Sequence, residues 1–149
     1  MAEKYFNRRE AEELLPMIEP QMKEACRQKQ QIDTLKEELS KASSRIMLMG
    51  GSSPPYAALA RRKAESEEAI RQLQETINKI QESGCVVKDL DLGLVDFPCL
   101  LKGEEVYLCW KLGEEHIGFW HGMEEGFASR KPLLDSGPEE PPSRPPRIN

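Results

Sequence analysis

The chain has 149 residues, enough for one domain, and 38% hydrophobic against 32% charged residues favours long surface helices over a thick core. Its net charge is −5 with no concentrated run of lysine and arginine, which argues against nucleic acid as a partner. We see no signal-peptide pattern at the amino terminus and no stretch long enough to cross a membrane, so the sequence predicts a cytoplasmic protein without a membrane partner.

A first long helix is predicted to begin at Asn7. Asn7 can cap the helix, and Glu10 stands three residues later as its capping-box partner. Apolar residues then recur in a seven-residue frame, which is typical of a narrow, coiled-coil-like stripe. Pro16 and Pro20 each remove a backbone donor, so we expect a distinct, bent first segment and a straighter helix from about residue 21 to residue 49.

Residues 50–55, Gly-Gly-Ser-Ser-Pro-Pro, are predicted to separate two helices, with Ser53 capping the second and Pro54 in its first turn. So short a connection makes the helices antiparallel neighbours and gives a helical hairpin over residues 7–83. The charged outer face of the second helix is expected to be solvated. Its buried stripe is predicted to contain Leu59, Ile70, Leu73, Ile77 and Ile80.

After Gly84 the apolar period becomes strand-like, which predicts a small antiparallel β-meander over residues 85–134. Its strands are expected at residues 85–87, 94–101, 106–111 and 117–121. If Lys102 and Gly103 form a two-residue hairpin loop, Leu101 faces Glu104 and the register is fixed. The face then expected to lie on the helices is formed by Val95, Phe97, Cys99, Val106, Leu108 and Trp110.

The opposite face of the meander is predicted to be polar. In the same register Asp96 lies across from Cys109, with Tyr107 beside them. The register of the next hairpin stays open, because the loop around residues 113–115 can hold three or four residues. A three-residue loop places His121 opposite Tyr107 on the polar face, and a four-residue loop places it opposite Leu108 on the apolar face.

The predicted fold is therefore α+β: a long antiparallel helical hairpin packed on a small β-meander, together one domain of residues 1–134. Residues 135–149 contain five prolines and almost nothing apolar, so this tail is expected to be disordered.

Five segments carry a resemblance to a known family: Phe6–Pro16, Val87–Pro98, Leu108–Glu115, Trp120–His121 and Gly126–Leu133. In this order they resemble the family of uncharacterised bacterial proteins labelled DUF2203, over about the first 134 residues. The resemblance implies a bacterial cytosolic protein of helical-hairpin-plus-sheet design, and it implies no activity. The motif positions, with no role attached to any, are Lys88, Asp89, Gly93, Asp96, Cys109, Trp110, Glu114, Trp120, His121 and Arg130.

Metal binding is the sharpest chemical hypothesis for the polar face. Asp96, Cys109 and His121 come from three neighbouring strands, and carboxylate, thiolate and imidazole together suit a transition metal. His116 and His121 are five residues apart, which puts them on opposite faces of a regular strand. A structural interpretation competes: Cys109 can fill space as a small apolar residue, and Asp96 can accept backbone N–H bonds or pair with Arg130.

Other chemistry has less support in the sequence. A hydrolytic triad is disfavoured because no nucleophile elbow surrounds Cys109 or a serine, so the sequence favours a non-enzymatic protein while leaving the question open. The four cysteines are dispersed without a Cys-x-x-Cys pair, and we expect reduced thiols. The aromatic residues Trp110, Phe119 and Trp120 are expected in the core rather than as a stacking platform. The candidates for small-ligand binding are Asp96, Trp110, Glu114, Trp120 and Arg130.

Two classes of function remain. The sequence favours an interaction or scaffold module that associates through its helical hairpin, as a homodimer or with a protein partner. The alternative is a small-ligand or transition-metal-binding protein, or an enzyme, with its site on the polar face. The first class rests on apolar residues that would be exposed at the hairpin tip. They are Ile46, Met47, Leu48, Met49, Tyr56 and Leu59.

Overall fold

The computed structural model describes residues 4–49 and 56–133, and within them it has two helices and a five-stranded antiparallel sheet. The expected loop at residues 50–55, the cap at Ser53 and the disordered tail lie outside the described residues. Neither described helix contains an apolar stretch that would cross a lipid bilayer. The elements are α1 (Arg8–Met49), α2 (Tyr56–Gln81), β1 (Val86–Asp89), β2 (Leu94–Leu101), β3 (Glu104–Lys111), β4 (Phe119–Gly122), a 3₁₀ turn (Phe127–Ser129) and β5 (Lys131–Pro132).

Helix α1 begins with the predicted capping box. The backbone N–H of Asn7 donates to Glu10 Oε1 at 2.9 Å, and that of Glu10 donates to Asn7 Oδ1 at 2.7 Å. The expectation of a separate first segment is wrong, because α1 runs unbroken through Pro16 and Pro20. Each proline removes one helical hydrogen bond, and the buried apolar side chains on either side of them hold the segment in place. These side chains are Ala11, Leu15, Ile18 and Met22.

Helix α2 buries a narrower stripe than predicted. Leu73 and Ile80 are buried, Leu59 and Ile77 are half-buried, and Ile70 is 42% exposed, so its predicted burial is wrong. Ser66 is buried as well. It lies seven residues, or about two helical turns, before Leu73 and therefore belongs to the same stripe. The apolar period therefore predicted the helix correctly. How many residues of the stripe are buried depends on the elements packed against the helix, which the period does not show.

The sheet is a meander with strand order β1-β2-β3-β4-β5. Leu101 pairs with Glu104 around the turn, which confirms the predicted two-residue loop. Lys102 and Gly103 both have positive φ, 52° and 86°, as a type I′ turn requires. Strand β4 begins at Phe119 rather than residue 117, and the short strand β5 was not predicted.

The apolar face of the central strands packs as predicted, because all six residues expected there are buried in the core. The Phe6 ring meets the Phe97 ring edge-on at 5.4 Å between centroids. The indole N–H of Trp110 donates to the carbonyl of Glu114 at 2.9 Å. The first described residues also join the sheet, since the backbone N–H of Phe6 donates to the Pro98 carbonyl at 2.8 Å. This packing leaves the other face of the sheet to carry the polar residues.

Candidate metal centre

Three neighbouring strands place a carboxylate, a thiol and an imidazole together on the face of the sheet away from the core. Asp96 pairs with Cys109 across β2 and β3, and Tyr107 pairs with His121 across β3 and β4. Of the two registers that the sequence left open, the structure has the one that places His121 on the polar face. The ligand-type atoms of Asp96, Cys109 and His121 all lie within 4.8 Å of one another, and all three side chains are buried. We call these residues the three-ligand site.

The orientation of the His121 ring follows from its two hydrogen bonds. Nδ1 lies 2.9 Å from the carbonyl oxygen of Gly122, and Nε2 lies 3.1 Å from Asp96 Oδ2. A carbonyl oxygen only accepts, so Nδ1 carries a hydrogen and Nε2 is directed at the carboxylate. Between Nε2 and Oδ2 one proton is required, because two bare lone pairs at this distance repel each other.

Burial sets the electrostatics of the site. It raises the pKa of Asp96, against the opposing effects of His121 and Lys88. Burial likewise raises the pKa of the Cys109 thiol from 9.0 to about 11, although the Arg130 guanidinium acts in the opposite direction. Without a cation, the site therefore holds a neutral thiol and a carboxyl–imidazole pair that shares a proton.

Arg130 does not pair with Asp96, and that expectation is wrong. Its guanidinium bonds Glu114 at 2.5 Å, and Glu114 is held in place by the backbone N–H of Lys111 at 2.9 Å. Glu114 lies three residues after β3 and beside Arg130, whereas the Asp96 carboxylate already bonds His121. Arg130 Nη1 lies 3.7 Å from Cys109 Sγ, so the arginine borders the site at the thiol.

The chain after β4 folds back over this part of the polar face. The Arg130 guanidinium stacks on the Phe119 ring at 3.9 Å and on the Phe127 ring at 4.6 Å. Phe127 begins the 3₁₀ turn that leads into β5. This return covers the polar face at Cys109. The sequence analysis did not predict this return of the chain. The aromatic and basic residues within 127–131 are the signal that could have indicated it.

The other candidate ligand-binding residues do not all join the site. Glu114 and Arg130 lie at its border, whereas Trp110 is buried on the opposite, helix-facing side of the sheet. Trp120 pairs with Leu108 and shares that helix-facing side. His116 is exposed and lies 3.8 Å from Glu12, and it is not part of the three-ligand site. A ligand on the polar face would therefore contact neither tryptophan side chain directly.

A cleft of about 800 Å³ opens beside the three-ligand site. Tyr107 lines it, and the Tyr107 ring centroid lies 5.6 Å from that of His121. The cleft therefore leads from solvent to the residue next to the buried imidazole. Sequence reasoning did not find it, because its walls come from distant parts of the chain: Lys4, Leu14, Gln81, Glu82, Ser83, Gly84, Cys85, Val86, Pro98, Tyr107 and Met123.

The fold and the site define an α+β protein in which a helical hairpin supports a sheet with three clustered ligand-type side chains. The chain belongs to the family described as Uncharacterized conserved protein (DUF2203), whose model matches residues 4–133, and this confirms the resemblance seen in the motifs. Comparisons with curated proteins and with solved structures gave no match.

Proposed function

We propose that this protein binds a divalent transition metal ion, with zinc as the natural occupant, through Asp96, Cys109 and His121. The observation that carries the proposal is the convergence of their three ligand atoms within 4.8 Å at a buried position. Zinc accepts oxygen, sulfur and nitrogen ligands in one tetrahedral shell, and three protein ligands leave a fourth position for another group.

The surroundings of His121 support the same proposal. Histidine ligands in metal sites commonly donate their second ring N–H to a carbonyl or carboxylate, which fixes the tautomer and aims the free nitrogen. The contact from Nδ1 to the Gly122 carbonyl at 2.9 Å has this form. A divalent ion would replace the proton between Nε2 and Asp96 and the proton of the Cys109 thiol, so the buried charges would balance.

A structural role for the same residues is the competing explanation. In that case the Asp96–His121 hydrogen bond satisfies two buried polar groups, and Cys109 fills space beneath the cover. The two explanations differ in what the purified protein contains.

The test is metal content, measured by elemental analysis after purification without chelators. We expect about one equivalent of metal in the wild type and loss of it in His121→Ala. Two matched controls should keep the metal: His116→Ala removes an exposed histidine, and Cys99→Ala removes a buried cysteine on the opposite face. Equal, sub-stoichiometric content in the wild type and His121→Ala overturns the proposal.

Cobalt gives a second readout that does not depend on the purification. In the Co²⁺-loaded protein, a thiolate ligand produces a charge-transfer absorption band, which should disappear in Cys109→Ala and persist in Cys99→Ala. A band that is the same in both variants would mean that Cys109 is not a ligand.

We further propose that the protein works in the reducing bacterial cytoplasm. All four cysteines, Cys26, Cys85, Cys99 and Cys109, are free, as is usual where thiols are kept reduced. Alkylation of acid-quenched cell extracts, followed by mass spectrometry, should label every one of them. A disulfide in the quenched protein would contradict this location.

Association through the helical hairpin is a second proposed function, separate from metal binding. It is favoured by the exposed side chains of Met47, Leu48 and Tyr56 near the end of the hairpin.

A further inference from the structure

The outer half of the helical hairpin lacks the third layer that covers its inner half. We define the arm as residues 33–48 of α1 and 56–70 of α2. Among these described residues the one buried side chain is Ser66, whereas α1 buries a regular stripe from Ala11 to Ile32. The half-buried apolar residues of the arm are Leu35, Leu39, Ala42, Ile46, Ala58, Leu59 and Ala69.

Two helices alone cannot enclose an apolar seam, and helices in this arrangement usually gain one or two more neighbours. The arm extends about 24 Å along α1 at 1.5 Å per residue. At its outer end Met47, Leu48 and Tyr56 are 82%, 87% and 71% exposed. Nearer the sheet Ile70 is 42% exposed. The arm therefore presents apolar side chains at both ends.

Charge on the arm is separated into two bands. The outer band comprises residues 39–48 and 56–64, and it has five basic residues and no acidic residue: Lys41, Arg45, Arg61, Arg62 and Lys63. The inner band comprises residues 33–38 and 65–70, and it has six acidic residues and one lysine. The acidic residues are Asp33, Glu37, Glu38, Glu65, Glu67 and Glu68.

Some of these charged residues form ion pairs within the hairpin. Glu37 bonds Lys41 at 3.0 Å, and Glu38 bonds Arg62 at 2.8 Å where the bands meet. For Arg61, Lys63, Glu65 and Glu67 no ion pair occurs among the described residues, and all four are exposed. These four residues are available to a partner.

We infer that the arm is a self-association surface on which a second copy of this chain lies antiparallel. Antiparallel overlap around a two-fold axis places the basic outer band of each copy on the acidic inner band of the other, twice in one dimer. The same overlap brings Met47 and Leu48 of each copy toward the exposed Ile70 of its partner. The four helices then enclose the half-buried seams, and the sheets with their three-ligand sites lie at opposite ends.

Mass and salt dependence give the first test. Light scattering at tens of micromolar should give twice the 17.0 kDa chain mass, and raising the salt concentration should weaken the dimer. Chelator should leave the mass unchanged, so the result is independent of the metal proposal. A wild type that stays monomeric at high micromolar concentration overturns the inference. An arm that binds only a different protein would give the same monomer and would also contradict self-association.

Charge reversal tests the antiparallel arrangement. Glu65→Lys/Glu67→Lys changes the net charge of the inner band from −5 to −1, and Arg61→Glu/Lys63→Glu changes that of the outer band from +5 to +1. Each double variant should raise the dimer dissociation constant by about tenfold or more. A one-to-one mixture of the two should recover part of the association, because one of the two contacts in the mixed dimer again sets a band of net charge +5 against a band of net charge −5. Variants that dimerise like the wild type, or a mixture that associates no better than either variant alone, would overturn the arrangement.

Apolar substitution tests the ends of the arm. Met47→Glu/Leu48→Glu should shift the protein to monomer with unchanged helical content, because both side chains are exposed. Met123→Glu is the matched control, since Met123 is exposed but lies beyond β4, away from the arm. If the Met123 variant dissociates and the arm variant does not, the interface is elsewhere.

Discussion

Nε2 of His121 lies 3.1 Å from Oδ2 of Asp96 although β3 separates the two strands in the sheet. The imidazole spans the central strand diagonally, next to Cys109, and so closes a triangle of ligand atoms over β3. A hydrogen bond and a bound metal ion would use the same two atoms. Zinc binding, proton release and stability against pH distinguish these two uses.

Added zinc should stabilise the metal-free protein against heat. A ligand that binds the folded state at a hundred times its dissociation constant contributes about 2.7 kcal/mol to the free energy of unfolding. The Asp96→Asn variant keeps the shape of the side chain and loses its charge, so its melting temperature should not respond to zinc. His116→Ala should respond as the wild type does. An equal zinc response in Asp96→Asn and wild type would contradict the site.

Zinc binding should release about two protons per ion. One comes from the Cys109 thiol, whose pKa is raised to about 11, and the other from the proton shared by Asp96 and His121. Calorimetry in buffers of different ionisation enthalpy measures this number. In Cys109→Ala the release should fall to about one. If no protons are released, zinc binds somewhere else.

The metal-free protein should lose stability at alkaline pH through its buried thiols. The pKa of Cys109 is about 11 in the folded protein and 9.0 for an unperturbed thiol, so the folded state keeps a proton that the unfolded state loses. The free energy of unfolding should therefore decrease as the pH rises from about 9 to about 11. Urea titrations under reducing conditions should show a shallower decrease in Cys109→Ala. Identical decreases in both proteins would place the thiol in contact with water.

Trp110→Ala should cost about 3–5 kcal/mol, because the indole is buried in the core and its N–H bonds the Glu114 carbonyl. That loss is large beside the roughly 5–15 kcal/mol stability of a typical domain. Trp120→Ala, at a half-buried position, should cost clearly less. Denaturant titration compares the two variants, and a cost below about 1 kcal/mol for Trp110→Ala would contradict the packing.

Lys102→Asn should stabilise the protein by about 0.5–1 kcal/mol. Lys102 has φ 52°, and this left-handed conformation costs an ordinary residue roughly 1–2 kcal/mol. Asparagine tolerates it and is favoured before glycine in a type I′ turn. Lys102→Gln removes the same charge without this preference and should give no gain. Equal stability of the two variants would mean that the turn is not strained.

Much of the fold could be predicted because its signals are local. Lys102-Gly103 between two alternating strands sets the register that places Asp96 opposite Cys109, and Asn7 with Glu10 sets the start of α1. The capping box and the hairpin turn each depend on residues within a few positions of one another.

Other features depended on parts of the chain that meet only after folding. The register of His121 was open because Gly113 marks a turn before β4 without fixing whether the loop holds three or four residues. The partner of Arg130 was wrongly predicted because sequence cannot show that His121 already occupies Asp96. The uninterrupted course of α1 through Pro16 and Pro20 depends on tertiary packing that outweighs two lost hydrogen bonds. The sequence predicted which three residues would lie together. It did not predict that the chain after β4 folds back over Cys109.

The hydrogen bond between Phe6 and Pro98 has a consequence for the order of events during synthesis. Phe6 and Pro98 are 92 residues apart, so the segment before α1 cannot make this contact until β2 has been synthesised. The helices can form early from local contacts, but their apolar inner face stays uncovered until β2 and β3 have emerged. During that interval the nascent hairpin presents Ala11, Ile18 and Met22 to its surroundings.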